Sequence, residues 1–119
     1  MSENYVVKRG EIYMASFHDY NTVGNEQSGT RPVLILQNDI GNRFGTTTIV
    51  ALLTTKIKKD IPTHVFLKDI HSDVLLEQIR TISKLRLLHK IGEIKEEDLT
   101  EINMKLAFSL GLIHLPKQD

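Results

Sequence analysis

Between Glu11 and Phe17 apolar residues occupy both phases of an alternating pattern, with Ile12, Met14 and Ser16 on one side and Tyr13, Ala15 and Phe17 on the other. A strand of this kind is covered on both faces or lies at an interface. Pro32 to Leu36 is a short run rich in β-branched residues that reads as a central strand, with Pro32 at its beginning, where a missing N–H donor is tolerated. Strand-length segments follow at Thr46 to Leu53, Thr63 to Leu67, Val74 to Leu76 and Arg80 to Ile82, a set of five or six strands. So many short strands in one small chain favour a barrel, because closure removes exposed edges. Between them, Gln37 to Gly45 is turn-rich. His18 to Thr30 is polar, carries two glycines and is long for a connection, as functional loops often are.

The last third changes period. Leu99, Ile102, Leu106, Leu110 and Ile113 fall at helical spacing behind Glu96, Glu97 and Asp98, which suit the positive end of a helix dipole. Lys95 is a poor N-cap, but Ile94 and Leu99 are spaced for a hydrophobic staple, so a helix is expected to start near Glu96 and to end by Pro116. The fold class is thus β-rich α+β, one domain spanning residues 1–119.

Composition narrows the function. With 119 residues, 40% hydrophobic, the chain can build one modest core. Its 15 basic and 15 acidic residues balance, which argues against coating nucleic acid through a broad positive surface; any such binding is local. The chain has no cysteine, which removes disulfides, thiolate metal sites and a cysteine nucleophile. No apolar run reaches membrane-span length, so a cytoplasmic protein is expected. The five histidines are scattered without metal-ligand spacing, and no metal is expected; His18, in the long loop, is the one placed to reach a substrate.

Read in order, KRGEIY, NEQSGTRPVLILQNDIGNR, IVALLTT and LLEQIRTI resemble the MazF/PemK toxin family in sequence and spacing over nearly the whole chain. The resemblance implies a small SH3-like barrel of the CcdB/MazF type with a C-terminal helix, assembled as a homodimer. It further implies cleavage of single-stranded RNA without a cofactor, and restraint by a MazE-like antitoxin whose disordered tail crosses the substrate groove. Carried over position by position, Arg31 and Thr54 are the catalytic candidates. Glu26, Gln27, Asn38, Asn42, Arg43, Glu77, Gln78 and Arg80 match positions that line the groove in relatives. Some relatives place a histidine beside the loop glutamate, where this chain has Asn25.

The implied chemistry suits these residue types. The 2'-hydroxyl of RNA attacks the adjacent phosphorus, leaving a cyclic phosphate and a 5'-hydroxyl, and negative charge grows on the phosphoryl oxygens. A guanidinium presents a planar fork to two such oxygens and stays charged near neutrality, so Arg31 fits phosphate clamping better than proton transfer. Thr54 would add a hydrogen bond, and Glu26 is one candidate for accepting the 2'-proton. Phe17, Tyr20 and Phe44 could stack unpaired bases, and Lys56, Lys58 and Lys59 could steer phosphate. Two other readings stay open: a CcdB-like toxin that binds gyrase, although this chain lacks the Trp-Gly-Ile ending of that group, and a non-catalytic SH3-like binding module.

Overall fold

The computed structural model describes residues 6–18 and 29–114. Its six strands are β1 (Glu11–Ser16), β2 (Thr30–Ile35), β3 (Thr47–Thr54), β4 (His64–Leu67), β5 (Ser72–Ser83) and β6 (Leu87–Glu93). They form one antiparallel sheet in the order β4-β5-β3-β2-β1-β6, which leaves β4 and β6 as the two edges. The sheet is curled rather than sealed into a ring. Phe17, just past β1, lies under the Arg80 guanidinium of β5 at 5.4 Å, although β2 and β3 separate those strands in the sheet.

The curl follows from the side-chain pattern. Tyr13, Ala15 and Phe17 of the first strand region join Val33, Ile35, Val50, Leu52, Ile82 and Leu87 in an inner cluster. Ile12, Leu34, Ala51, Leu53, Val65, Val74 and Leu76 form a second cluster on the other face, closed by Ile102 of the C-terminal helix. Strands buried on both faces carry apolar residues in both phases, as β1 to β3 do. The double-sided pattern of β1 is therefore satisfied within the chain: it sits between β2 and β6 with a cluster on each face, and it is no sign of an intermolecular contact.

A bend in β5 shapes the site. Ala51 pairs with Ile79 while Leu52 pairs with Leu75, so Leu76, Glu77 and Gln78 are inserted opposite a single peptide of β3. The two segments expected at Val74 to Leu76 and Arg80 to Ile82 are thus the halves of one bulged strand.

Two elements depart from expectation. The turn-rich stretch after β2 is a short helix, α1 (Asp39–Phe44), capped by Asn38, whose Oδ1 accepts from the Gly41 N–H at 2.8 Å. Strand β6 was not anticipated, because its mostly exposed sequence, LLHKIGE, lacks a sustained alternation; pairing with β1 defines it. The second helix, α2 (Glu96–Ser109), starts where expected, and Lys95 provides no side-chain cap. It ends before Leu110 and Ile113, which are exposed, with Gly111 in the left-handed region just beyond. No helix among the described residues is long and apolar enough to cross a membrane.

Candidate active site

Arg31 and Thr54 lie at the open end of the inner face. Val33 pairs with Leu52, and continuing that register by two residues sets Arg31 opposite Thr54. The half-buried Arg31 side chain crosses to β3, where Nη2 donates to the Leu53 carbonyl at 3.4 Å. Residues two apart on a strand share a face. Arg31 and Thr54 therefore extend the same face as Val33 and Leu52, beyond the apolar cluster. Thr54 Oγ1 accepts from the Lys56 N–H at 3.1 Å, which leaves its own O–H able to donate. A fixed cation and a hydroxyl donor side by side, at the edge of a dry cluster, make a suitable seat for a phosphate.

On the far side of β3, Thr54 pairs with Asp73 of β5. Asp73 is buried, accepts from the Lys58 N–H at 3.0 Å and lies 3.5 Å from His64 Nδ1. The other ring nitrogen of His64 is 3.0 Å from Glu77 Oε2, and Thr63 Oγ1 donates to Glu77 Oε1 at 2.7 Å. Burial works to raise the Glu77 carboxyl, but the hydrogen bonds from Thr63 and His64 outweigh it and hold the pKa below its ordinary value. A groove of about 640 Å³ opens here, with Lys58, Lys59, His64, Phe66 and Asp73 in its wall.

The remaining candidates divide. Gln78 sits exposed in the β5 bulge beside Glu77. Arg80 is half-buried over the Phe17 ring. Phe17 itself is fully enclosed, which removes it as a stacking platform. Phe44 is exposed, with Arg43 5.5 Å above its ring. Asn38 is exposed and caps α1 through its Oδ1.

Asn42 requires a correction. It is fully buried; its Oδ1 accepts from Thr48 Oγ1 at 2.7 Å and Gln37 Nε2 at 3.1 Å, and its Nδ2 donates to the Gln37 carbonyl at 2.8 Å. An amide so engaged anchors α1 and has no surface to offer a substrate. Asn38, Asn42 and Arg43 also follow the far end of β2, which lies roughly 13 Å along the strand from Arg31. Glu26, Gln27 and Tyr20 lie outside the described residues. Conversely, sequence reasoning passed over Asp73 and His64, since a scattered histidine gives no signal until the fold sets it between two carboxylates. Among the described residues no group of three or more acidic or histidine side chains is placed to hold a metal ion.

A curled six-stranded antiparallel sheet with a helix packed across one face is the architecture this chain presents for comparison. The chain belongs to the PemK-like, MazF-like toxins of type II toxin-antitoxin systems, whose family pattern matches residues 8–110. It is 48% identical over 117 residues to Endoribonuclease EndoA of Bacillus subtilis, covering 91% of this chain and 97% of that protein. An endoribonuclease in complex with its cognate antitoxin, from a mycobacterial species, superposes with TM-score 0.76 at 29% identity, covering 92% of this chain and 99% of that one. MazF of Deinococcus radiodurans does so with TM-score 0.75 at 26% identity, covering 91% and 99%.

Proposed function

We propose that this chain, read as a single domain, is a cytoplasmic endoribonuclease toxin that cuts single-stranded RNA at short preferred sequences without a metal. The adjacency of Arg31 and Thr54 across β2 and β3 carries this reading. The substrate's 2'-oxygen attacks phosphorus as the P–O5' bond breaks; the 2'-proton passes to a base, and the departing 5'-oxygen takes up a proton. Arg31 clamps the phosphoryl oxygens and stabilises the charge that builds on them, with Thr54 donating a hydrogen bond. Glu77, Gln78 and Arg80 line the path of the flanking nucleotides. Glu26 and Gln27 belong to the substrate-binding set by the family resemblance, with Glu26 one candidate for the base that takes the proton. Asn38 and Arg43 serve at most the margin of the groove.

The active form in this reading is a homodimer restrained by a MazE-like antitoxin with an extended tail. Exposed Leu85, Leu88 and Ile91, on and before the β6 edge, support self-association better than β1 does. A gyrase-binding role is not favoured, since the relatives matched are endoribonucleases.

The test is incubation of the purified protein with mixed-sequence RNA in EDTA, followed by analysis of the new ends. Cyclic phosphate and 5'-hydroxyl termini are expected. Intact RNA in the presence of folded protein would overturn the reading.

A further inference from the structure

The Asp73–His64–Glu77 line is more than an ion pair at the rim. The His64 side chain is 10% exposed and that of Asp73 2%, whereas that of Glu77 is 41% exposed and stands in the inserted segment of β5. Each ring nitrogen of His64 faces a carboxylate, and an ionised carboxylate only accepts hydrogen bonds. A neutral imidazole has one N–H. When that proton sits on Nε2 it serves Glu77 and turns a lone pair towards Asp73; a second proton lets the ring serve both. Nδ1 has no hydrogen-bond partner at the 3.5 Å found, so the Glu77 end is the tighter one. Charged groups press on the same spot from other elements. Lys105 of α2 donates to the His64 carbonyl at 3.1 Å and pairs with Glu101 at 3.2 Å, and the Lys58 N–H holds Asp73.

The order of residues across the sheet gives this clasp its significance. Thr54, the phosphate-side candidate, pairs with Asp73; Asp73 backs His64; His64 grips Glu77, the exposed carboxylate of the bulge. A bulge carries no ladder bonds to β3, so a side chain on it is aimed by whatever holds it. Here that is His64 and Thr63.

We propose that His64, braced by Asp73, is a positioning residue that aims Glu77 at the bound RNA and so sets base preference at the nucleotide Glu77 meets. The proposal rests on the proposed reading of this chain as an endoribonuclease whose substrate passes the exposed Glu77 carboxylate. His64 acts through Glu77 and takes no part in the phosphoryl chemistry at Arg31.

The experiment measures kcat/KM on the preferred RNA and on three RNAs changed at one flanking base each, for wild type, H64A, H64Q, E77Q and the H64A/E77Q double variant. H64A and E77Q should each lose on the order of tenfold in discrimination at the same base, and the double variant no more than either alone. H64Q, which keeps an N–H donor on a side chain of similar reach, should recover part of the loss. A merely structural role would slow all four RNAs alike and leave the ratios unchanged, and that outcome overturns the proposal. Should H64A fail to fold, ring nitrogen NMR of the wild type and of E77A, which has no side-chain acceptor, decides. Loss of the Nε2-bound proton signature of His64 in E77A is expected, and an unchanged spectrum overturns the clasp. Wild-type protein that cuts none of the RNAs speaks against the endoribonuclease reading instead, and the NMR comparison still judges the clasp.

Discussion

Two polar regions flank β2, and they use the same kinds of residue to opposite ends. After its last residue come Gln37, Asn38, Asp39 and Asn42, whose amides and carboxylate bond to one another, to Thr48 and to backbone. Asp39 also receives the Arg9 N–H at 2.7 Å, and the Lys84 ammonium reaches the Asn42 carbonyl, so α1 is bound to both the N-terminal turn and the end of β5. At the other end of β2 stand Arg31 and, across the sheet, Thr54, Asp73, His64 and Glu77. There His64 stands between buried Asp73 and exposed Glu77, hydrogen-bonded to the second and only ion-paired with the first, and the groove opens beside His64 and Asp73. A polar residue in a small barrel is structural when the fold consumes its donors and acceptors, and available to a ligand when the fold leaves one unused.

The sharpest way to break this contrast is to delete one residue from each region. Arg31→Ala should lower cleavage by at least on the order of 10²- to 10³-fold, the usual cost of removing a preorganised group that stabilises transition-state charge. Its melting temperature should move little, because a half-exposed cation contributes modestly to folding. Single-turnover cleavage beside a thermal melt checks both. A variant that cuts at a near-normal rate would take Arg31 out of the chemistry.

Asn42→Ala should invert the pattern. Removing the buried amide strands the Thr48 hydroxyl and the Gln37 carbonyl, at a cost of about 2 kcal/mol. Denaturant unfolding should show that loss, while cleavage well below the melting temperature stays within about twofold of wild type. A large catalytic defect in a folded Asn42→Ala protein would return that residue to the substrate site. Thr54→Val is the gentler probe of the first region: it keeps the shape and removes the donor, for an expected loss on the order of tenfold in kcat/KM with stability retained. A Thr54→Val enzyme as fast as wild type would leave Arg31 to clamp the phosphate alone.

Much of this was legible in the chain, for identifiable reasons. Both phases of β1, the β-branched run of β2 and the acidic start of α2 are local signals, and the structure follows them closely. The bulge in β5 was not legible, since LLEQIRTI looks like two strands until pairing with β3 shows three inserted residues. Nor was the fate of Asn42. An asparagine in QNDIGN suits a turn, a cap or a ligand equally, and only the approach of Thr48 from β3 enclosed it. His64 and Asp73 are nine positions apart and become neighbours because β4 and β5 pair. The Arg31–Thr54 pair carried a family signal and no local one. A threonine ending a strand is ordinary, and register alone brings it to the arginine.

The smallest effect tests the boundary between the two regions, where Glu77 is partly spent and partly exposed. Its carboxyl lies below the ordinary value in the folded protein, held there by Thr63 and His64 against the opposing effect of burial. The unfolded chain therefore binds a proton more readily than the folded one in the acid range. The contribution of Glu77 to stability is fully present above the unfolded value of roughly 4 and is lost as pH falls through the lower folded value. Glu77→Gln cannot titrate, so its melting curve should lack this component. Wild type should lose slightly more stability than the variant between neutrality and about pH 3. The difference is small because the side chain is 41% exposed and solvent screens its partners. Parallel plots of melting temperature against pH for the two proteins would show that the fold draws nothing from this carboxylate. Glu77 would then belong wholly to the ligand-facing region, and its hydrogen bonds with Thr63 and His64 would serve only to aim it.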